Sequence, residues 1–265
     1  LRVARGNAKK AFFLLCIDKD FTMKLAGKTA LVTGGGTGIG LGIATALADE
    51  GCRVAIAGRR ADKLAESAKS YSGKNALLHH AVDVGELASV EALFAWAAKE
   101  LGRIDILVNS AGVNVAKRSM AELSPEDWDY MLRINATGAF YCIRAVLPQM
   151  RERRDGLIVN INSISGVRAS LLGGVGYSAA KFAMTALGTA VGLEVNPEGV
   201  RVTNVYPGEV DTPILEKRPV PVTAEHRARI LKPEDVGAAV AMVACLPPRA
   251  HVSDLIIKPT SQPFA

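Results

Sequence analysis

The chain has 265 residues, 49% of them apolar and 25 of them glycine, enough to bury a large core in one domain and to build many tight turns. The net charge is +6. Residues 1–22 supply half of that excess through five basic and two acidic side chains, so the rest of the chain lacks the basic stripe of a nucleic-acid binder. The longest apolar run near the N-terminus covers only residues 11–17, far short of the roughly 20 residues of a membrane-crossing helix.

Residues 1–22 read as a poorly ordered extension, with one domain over residues 23–265. Lys9-Lys10 before the apolar run imitates a secretion signal, but Asp18-Lys19-Asp20 offers no small-residue cleavage site. An organellar targeting peptide is the competing reading. Cys16, Cys52, Cys142 and Cys245 form no C-x-x-C pair. They read as buried thiols of a reducing compartment, which points to the cytoplasm.

From Lys28 onward, strands and helices alternate. A strand over 29–33 leads through a glycine turn into a helix over 39–50. A strand over 53–57 and a helix over 61–71 follow, then a strand over 76–82 and a helix over 86–101. After a strand over 104–109, Ser124-Pro125-Glu126-Asp127 supplies a cap, a first-turn proline and early acids. They open helical sequence that reaches residue 150. Strands over 156–161 and 200–205 flank a helix over 176–196. A helix over 232–245 and a strand over 255–258 close the chain. This alternation predicts an α/β fold, a single domain with a doubly wound parallel sheet of Rossmann type. Residues 211–231, with Pro213, Pro219 and Pro221, read as one long irregular stretch suited to a substrate lid. His79 and His80 are neighbours on a strand and so face opposite ways, which argues against a metal site.

Two motifs carry the chemistry. Thr33-Gly34-Gly35-Gly36-Thr37-Gly38-Ile39-Gly40 joins the first strand to the first helix. Glycine there lets the backbone approach a phosphate closely, and the helix N-terminus presents free N–H groups to it. The second strand ends Ala57-Gly58-Arg59-Arg60. Gly58 stands where an acid would meet a ribose 2′-hydroxyl, and Arg59 with Arg60 suits a 2′-phosphate, so NADP(H) is preferred and NAD(H) remains open. Further along, Tyr177 and Lys181 are four apart on one helix face. Carbonyl reduction needs a proton for the forming alkoxide, and a phenol of pKa near 10 needs a neighbouring ammonium to lower that value. Tyr177 then reads as general acid and base, with Ser163 holding the carbonyl oxygen.

Together these residues resemble the short-chain dehydrogenase/reductase family over residues 25–245. Thr33–Gly40 is similar to its T-G-x-x-x-G-I-G turn, with Gly34, Thr37, Gly38, Ile39 and Gly40 toward the cofactor. Asp83, followed by Val84, resembles the family's adenine contact. Asn109-Ser110-Ala111-Gly112 resembles N-N-A-G with Ser110 in place of the second Asn, and implies cofactor contacts from Asn109, Ala111 and Gly112. The resemblance implies a catalytic tetrad of Asn135, Ser163, Tyr177 and Lys181. Asn135 would keep a relay water, and Lys181 would also bind the nicotinamide ribose. Pro207-Gly208-Glu209-Val210-Asp211-Thr212 resembles P-G-x-V-x-T, implying cofactor contacts from Pro207, Gly208, Val210 and Thr212.

The resemblance implies an enzyme that interconverts a small carbonyl and an alcohol, in a homodimer or homotetramer built on the helices ending near residues 150 and 196. An NAD-linked alcohol or hydroxy-acid dehydrogenase and a non-catalytic NADP sensor are the competing readings. Two departures bear on substrate. Residues 247–260 lack the family's frequent T-G-x-x-x-x-x-D-G-G ending and look more like members acting on small hydroxy acids and other polar alcohols. Val191-Gly192-Leu193-Glu194 replaces the Leu-Ala-Arg-Glu of carrier-protein-linked oxoacyl reductases. The pocket is expected from Val113-Asn114-Val115, residues 167–175 and the stretch after Asp211. Arg168 reads as a surface loop residue, with a substrate carboxylate as its competing partner.

Overall fold

A computed structural model describes residues 23–262. The extension expected over residues 1–22, and Cys16 with it, lies outside them. Strand β1 (Thr29–Thr33) is buried at every position. Ala30 and Val32 face one core and Leu31 the other, the period-two alternation of a strand covered on both sides. The remaining strands are β2 (Arg53–Gly58), β3 (Leu78–Ala81), β4 (Ile106–Asn109), β5 (Gly156–Ile161), β6 (Val200–Pro207) and β7 (Asp254–Ile257). They form one sheet in the order β3-β2-β1-β4-β5-β6-β7, and every pairing is parallel. The expected doubly wound sheet is therefore the fold.

Helices α1 (Gly38–Asp49), α2 (Ala61–Ser70) and α8 (Pro233–Ala244) cover one face through Ile43, Leu47, Leu64, Val236 and Val240. On the other face, α3 (Leu87–Leu101), α5 (Gly138–Arg153) and α6 (Val175–Val195) bury Val90, Leu93, Cys142, Val146 and Val195. Glycines set the closest helix pairing. A Cβ on Gly42 of α1 would lie 2.5 Å from the Pro233 carbonyl oxygen, and one on Gly237 would press still harder on the Gly42 carbonyl. Backbone on both sides leaves nothing soft to yield. Gly42→Ala is expected to cost about 1–3 kcal/mol by overpacking, read as a lower urea midpoint.

Two local expectations change. The single helix expected over 124–150 is α4 (Pro125–Leu132), a π turn over Arg133–Thr137, and α5. Ser124 caps α4 as expected, its hydroxyl accepting from the Asp127 N–H at 3.1 Å. The π turn, a rare device that concentrates at functional sites, buries Asn135 completely. The stretch 211–231 is also more regular than its prolines suggest. Pro213 opens a 3₁₀ turn (Pro213–Lys217), and the Thr223 hydroxyl caps the short helix α7 (Ala224–Arg229) by accepting from the His226 N–H at 3.2 Å. Two carboxylates pin this stretch. Glu209 holds Arg218 at 3.0 Å and His226 at 2.7 Å, and Asp211 holds Lys232 at 2.9 Å and also Arg227.

β1 and β4 are neighbours, but the chain leaves them toward opposite edges. This is the switch point at which parallel sheets open a crevice beyond their carboxyl ends.

Candidate active site

That crevice is a groove of about 1060 Å³. At its floor, Gly34 sits at φ +67°, where an added Cβ would lie 2.7 Å from the Ala111 nitrogen. Only glycine lets the turn after β1 pass so close to the turn after β4. The Thr33 hydroxyl ties the two turns by accepting from the Ser110 N–H at 3.2 Å and the Ala111 N–H at 3.4 Å. At the start of α1, Thr37 makes no side-chain cap and no acidic residue occupies the first turn. The helix N-terminus thus keeps its N–H donors and partial positive charge for an anion. Gly34, Gly36, Thr37, Gly38, Ile39 and Gly40 all line the groove, which fits a dinucleotide pyrophosphate.

Further along the groove stand Arg59, Arg60 and Lys63. Arg59 donates to the Tyr130 hydroxyl at 2.7 Å, and its guanidinium lies 5.8 Å from that ring's centroid. Asp83 and Val84 line the same wall, the Asp83 carboxylate accepting from the Gly85 N–H at 2.9 Å.

The other half of the groove gathers Ser163, Tyr177 and Lys181. Ser163 ends the turn after β5, where its hydroxyl accepts from the Ser165 N–H at 3.1 Å. Tyr177 and Lys181 lie one turn apart on α6, with the Lys181 ammonium 5.7 Å from the Tyr177 ring centroid. Lys181 is 3% exposed and donates to the Ile161 carbonyl at 2.9 Å. Burial pushes its pKa down to about 8. Tyr177 departs from expectation. Burial raises its pKa, outweighing the lowering from its hydrogen bond to Ser163 and from the charge of Arg118. The phenol therefore keeps its proton at neutral pH, the form a general acid needs.

Lys181 places a stability cost inside the site. Unfolded, a lysine holds its proton to about pH 10.5; folded, it releases it near pH 8. Its penalty is carried in full below about pH 8 and shed as pH rises toward 10.5. A shift of this size is worth about 3 kcal/mol, and losing the Ile161 hydrogen bond costs about 1 kcal/mol. Lys181→Met is expected to gain about 2 kcal/mol at pH 7, with the gain shrinking toward pH 10, by denaturant titration at several pH values.

The structure brings together almost every residue singled out from sequence. Ala111, Gly112, Pro207, Gly208, Val210 and Thr212 join those above in lining the groove. Asn109 and Asn135 stand behind the lining. Asn109 donates to Asn160 at 3.0 Å, and Asn160 donates to Asn204 at 3.2 Å, a buried amide ladder across β4, β5 and β6. Asn135 accepts from the Val113 N–H and donates to the Val113 carbonyl, both at 2.9 Å, and so clamps the loop after β4. Among the expected pocket stretches, Val113, Asn114, Val115, Ser170, Leu172 and Gly173 line the groove. Arg168 is exposed and lies outside that lining, as its surface reading has it.

Sequence reading missed Arg118, Tyr130 and Gln262, which also line the groove, as does Arg218 from the expected stretch after Asp211. Lys117-Arg118 looks like any solvated pair of cations. Arg118 is in fact 8% exposed, donating to the Leu172 carbonyl at 2.9 Å and to the Lys217 carbonyl. Only the fold brings those positions to residue 118. His80 stacks on Trp96 at 4.7 Å, and the described residues contain no group of three or more His, Cys, Asp and Glu arranged to hold a metal.

Known proteins share this fold. An uncharacterized oxidoreductase of Staphylococcus saprophyticus is 36% identical over 239 residues, 89% of this chain and 99% of the relative. A serine dehydrogenase complexed with NADP+ superposes with a TM-score of 0.81 at 33% identity, covering 89% of this chain and 97% of its own. An alcohol dehydrogenase from the archaeon Thermococcus sibiricus, complexed with 5-hydroxy-NADP, also gives 0.81 at 29% identity, over 90% of this chain and 99% of its own. A family model described as short chain dehydrogenase matches residues 28–220, a span that runs from β1 through Tyr177 and Lys181 into the segment beyond β6. The chain belongs to the short-chain dehydrogenase/reductase family.

Proposed function

We propose that the protein interconverts a small carbonyl compound and a secondary alcohol by hydride transfer, with NADP(H) as cofactor and Tyr177 as general acid and base. One observation carries this reading: Ser163, Tyr177 and Lys181 line the same groove as the glycine turn and Arg59. A proton donor and a dinucleotide cradle thus share one chamber. The bound nicotinamide supplies or accepts the hydride. Ser163 positions the carbonyl oxygen, and Tyr177 gives it a proton in reduction and takes one in oxidation. Lys181, still charged at pH 7 with its pKa near 8, steadies the negative charge that forms on the Tyr177 oxygen. Asn135 acts through the loop it clamps, holding Val113 at the edge of the chamber.

NADP(H) is favoured over NAD(H) by Arg59, Arg60 and Lys63 beside Gly58, and by the NADP-type ligands of the two structural neighbours. A homodimer or homotetramer belongs to the same reading. Phe140 on α5, with Phe182 and Leu193 on α6, stands exposed where a second copy would cover it. So does a cytoplasmic setting, supported by Cys52, Cys142 and Cys245 as free thiols. Burial pushes Cys52 and Cys142 up to about 12, so both stay protonated and unreactive.

The test is NADPH oxidation against ketones, aldehydes, oxo acids and oxoacyl thioesters. Turnover on at least one class is the expected result. Tight NADPH binding with no turnover on any class would favour a sensor.

A further inference from the structure

Arg118 is a guanidinium buried in the wall between the groove and an adjoining cavity of about 1310 Å³, and it lines both. Its hydrogen bonds go to the neutral carbonyls of Leu172 and Lys217, and its Nε has no acceptor. A structural pin between two loops would account for the carbonyl contacts. It would not account for a charge, because buried charges are ordinarily paired, and Arg118 forms no ion pair among the described residues. The surroundings add positive charge. Arg118, Lys181, Lys217 and Arg218 line the catalytic half of the groove against Glu209, and Glu209 is already shared between Arg218 and His226. Burial, followed by repulsion from Arg218, weakens the hold of Arg118 on its proton. Arg118 and Tyr177 line the same groove, and the Arg118 charge acts on the phenol, so an anion seated at Arg118 shares the chamber of the reacting carbonyl.

We infer that the substrate carries a carboxylate as well as its carbonyl, held by Arg118 with Arg218 beside it, so that the reaction joins oxo acids to hydroxy acids. This rests on the hydride-transfer reading and adds the substrate class. One N–H of each Nη is committed to a carbonyl. Three N–H donors remain, Nε–H among them, enough for a two-pronged hold on a carboxylate.

The experiment has two arms. The first compares kcat/KM for short 2-oxo and 3-oxo acids with their methyl esters, in the native chain, Arg118→Gln and Arg118→Lys. The native chain is expected to favour the acids by roughly tenfold or more. Arg118→Gln removes that preference, mainly through KM, and Arg118→Lys retains part of it. Equal kcat/KM for acids and esters in the native chain would overturn the inference. The second arm needs no turnover: calorimetric titration of the NADP+ complex with malonate and with malonamide. Malonate is expected to bind roughly tenfold more tightly or better, with the difference lost in Arg118→Gln. Equal binding of the two would overturn it as well. If Arg118→Gln does not fold, the native-chain ratios and Arg118→Lys decide. The two readings fail separately. Neutral ketones turned over without preference for acids remove the carboxylate and leave the reductase. Malonate held through Arg118 with no carbonyl turned over removes the reductase and leaves the anion site.

Discussion

Tyr177→Phe is expected to lower kcat for NADPH-dependent carbonyl reduction by about 10²- to 10⁴-fold, the usual contribution of a placed general acid. NADPH affinity should change little by comparison. The substitution removes one hydroxyl and keeps the ring that packs beside Lys181, whose ammonium lies 5.7 Å from its centroid. No other phenol can replace it. Tyr130 also lines the groove, but it accepts from Arg59 at 2.7 Å, at the far end. A drop in kcat/KM carried wholly by KM would mean that Tyr177 binds substrate without moving a proton. The direction of the pKa shift adds a pH signature. Burial holds the Tyr177 proton above its ordinary value, so reduction should stay supplied with acid through neutral pH. Oxidation, which needs the phenolate, should climb as pH rises.

Arg59→Asp is expected to weaken NADPH binding by roughly 10- to 100-fold, the worth of a lost hydrogen bond to a charged group, and to improve relative use of NADH. Arg59 lies at the end of β2, where a ribose 2′ substituent is read. Arg60 and Lys63 line the same wall, but Lys63 is already paired with Glu66 at 2.6 Å. The substitution both removes a guanidinium and sets a carboxylate against the 2′-phosphate. Fluorescence titration with NADPH and NADH, repeated at several salt concentrations, measures it. Equal loss for both cofactors would mean that Arg59 supports the groove without reading the 2′ position.

The fold was legible because its signals are local and repeated. Ala30-Leu31-Val32 is an unbroken apolar run, as a strand covered on both faces requires, and strands alternate with helices along the chain. The glycine turn was legible because one close approach, Gly34 against Ala111, excludes every other residue. What stayed hidden depends on distant parts of the chain meeting. Arg118 becomes a buried cation only when residues 172 and 217 arrive to receive its N–H groups. The amide ladder is equally hidden: register sets Asn109 beside Asn160, and Asn160 beside Asn204. The segment after Asp211 looked irregular because prolines mask its order. Thr223 starts a helix there, and Glu209 with Asp211 ties it down. Tyr177 was expected to be a lowered phenol from its spacing to Lys181 alone. Spacing says nothing of burial, and burial decides the direction.

The most direct test of hydride transfer is to supply NADPH deuterated on each face of nicotinamide C4 in turn, with a carbonyl that the protein turns over, and to locate the label. Deuterium from one face alone, at the carbinol carbon of the product, and appearing about 10²- to 10⁴-fold more slowly in Tyr177→Phe, is the predicted result. Product formed without label at that carbon from either face would contradict hydride transfer as the chemistry of this site.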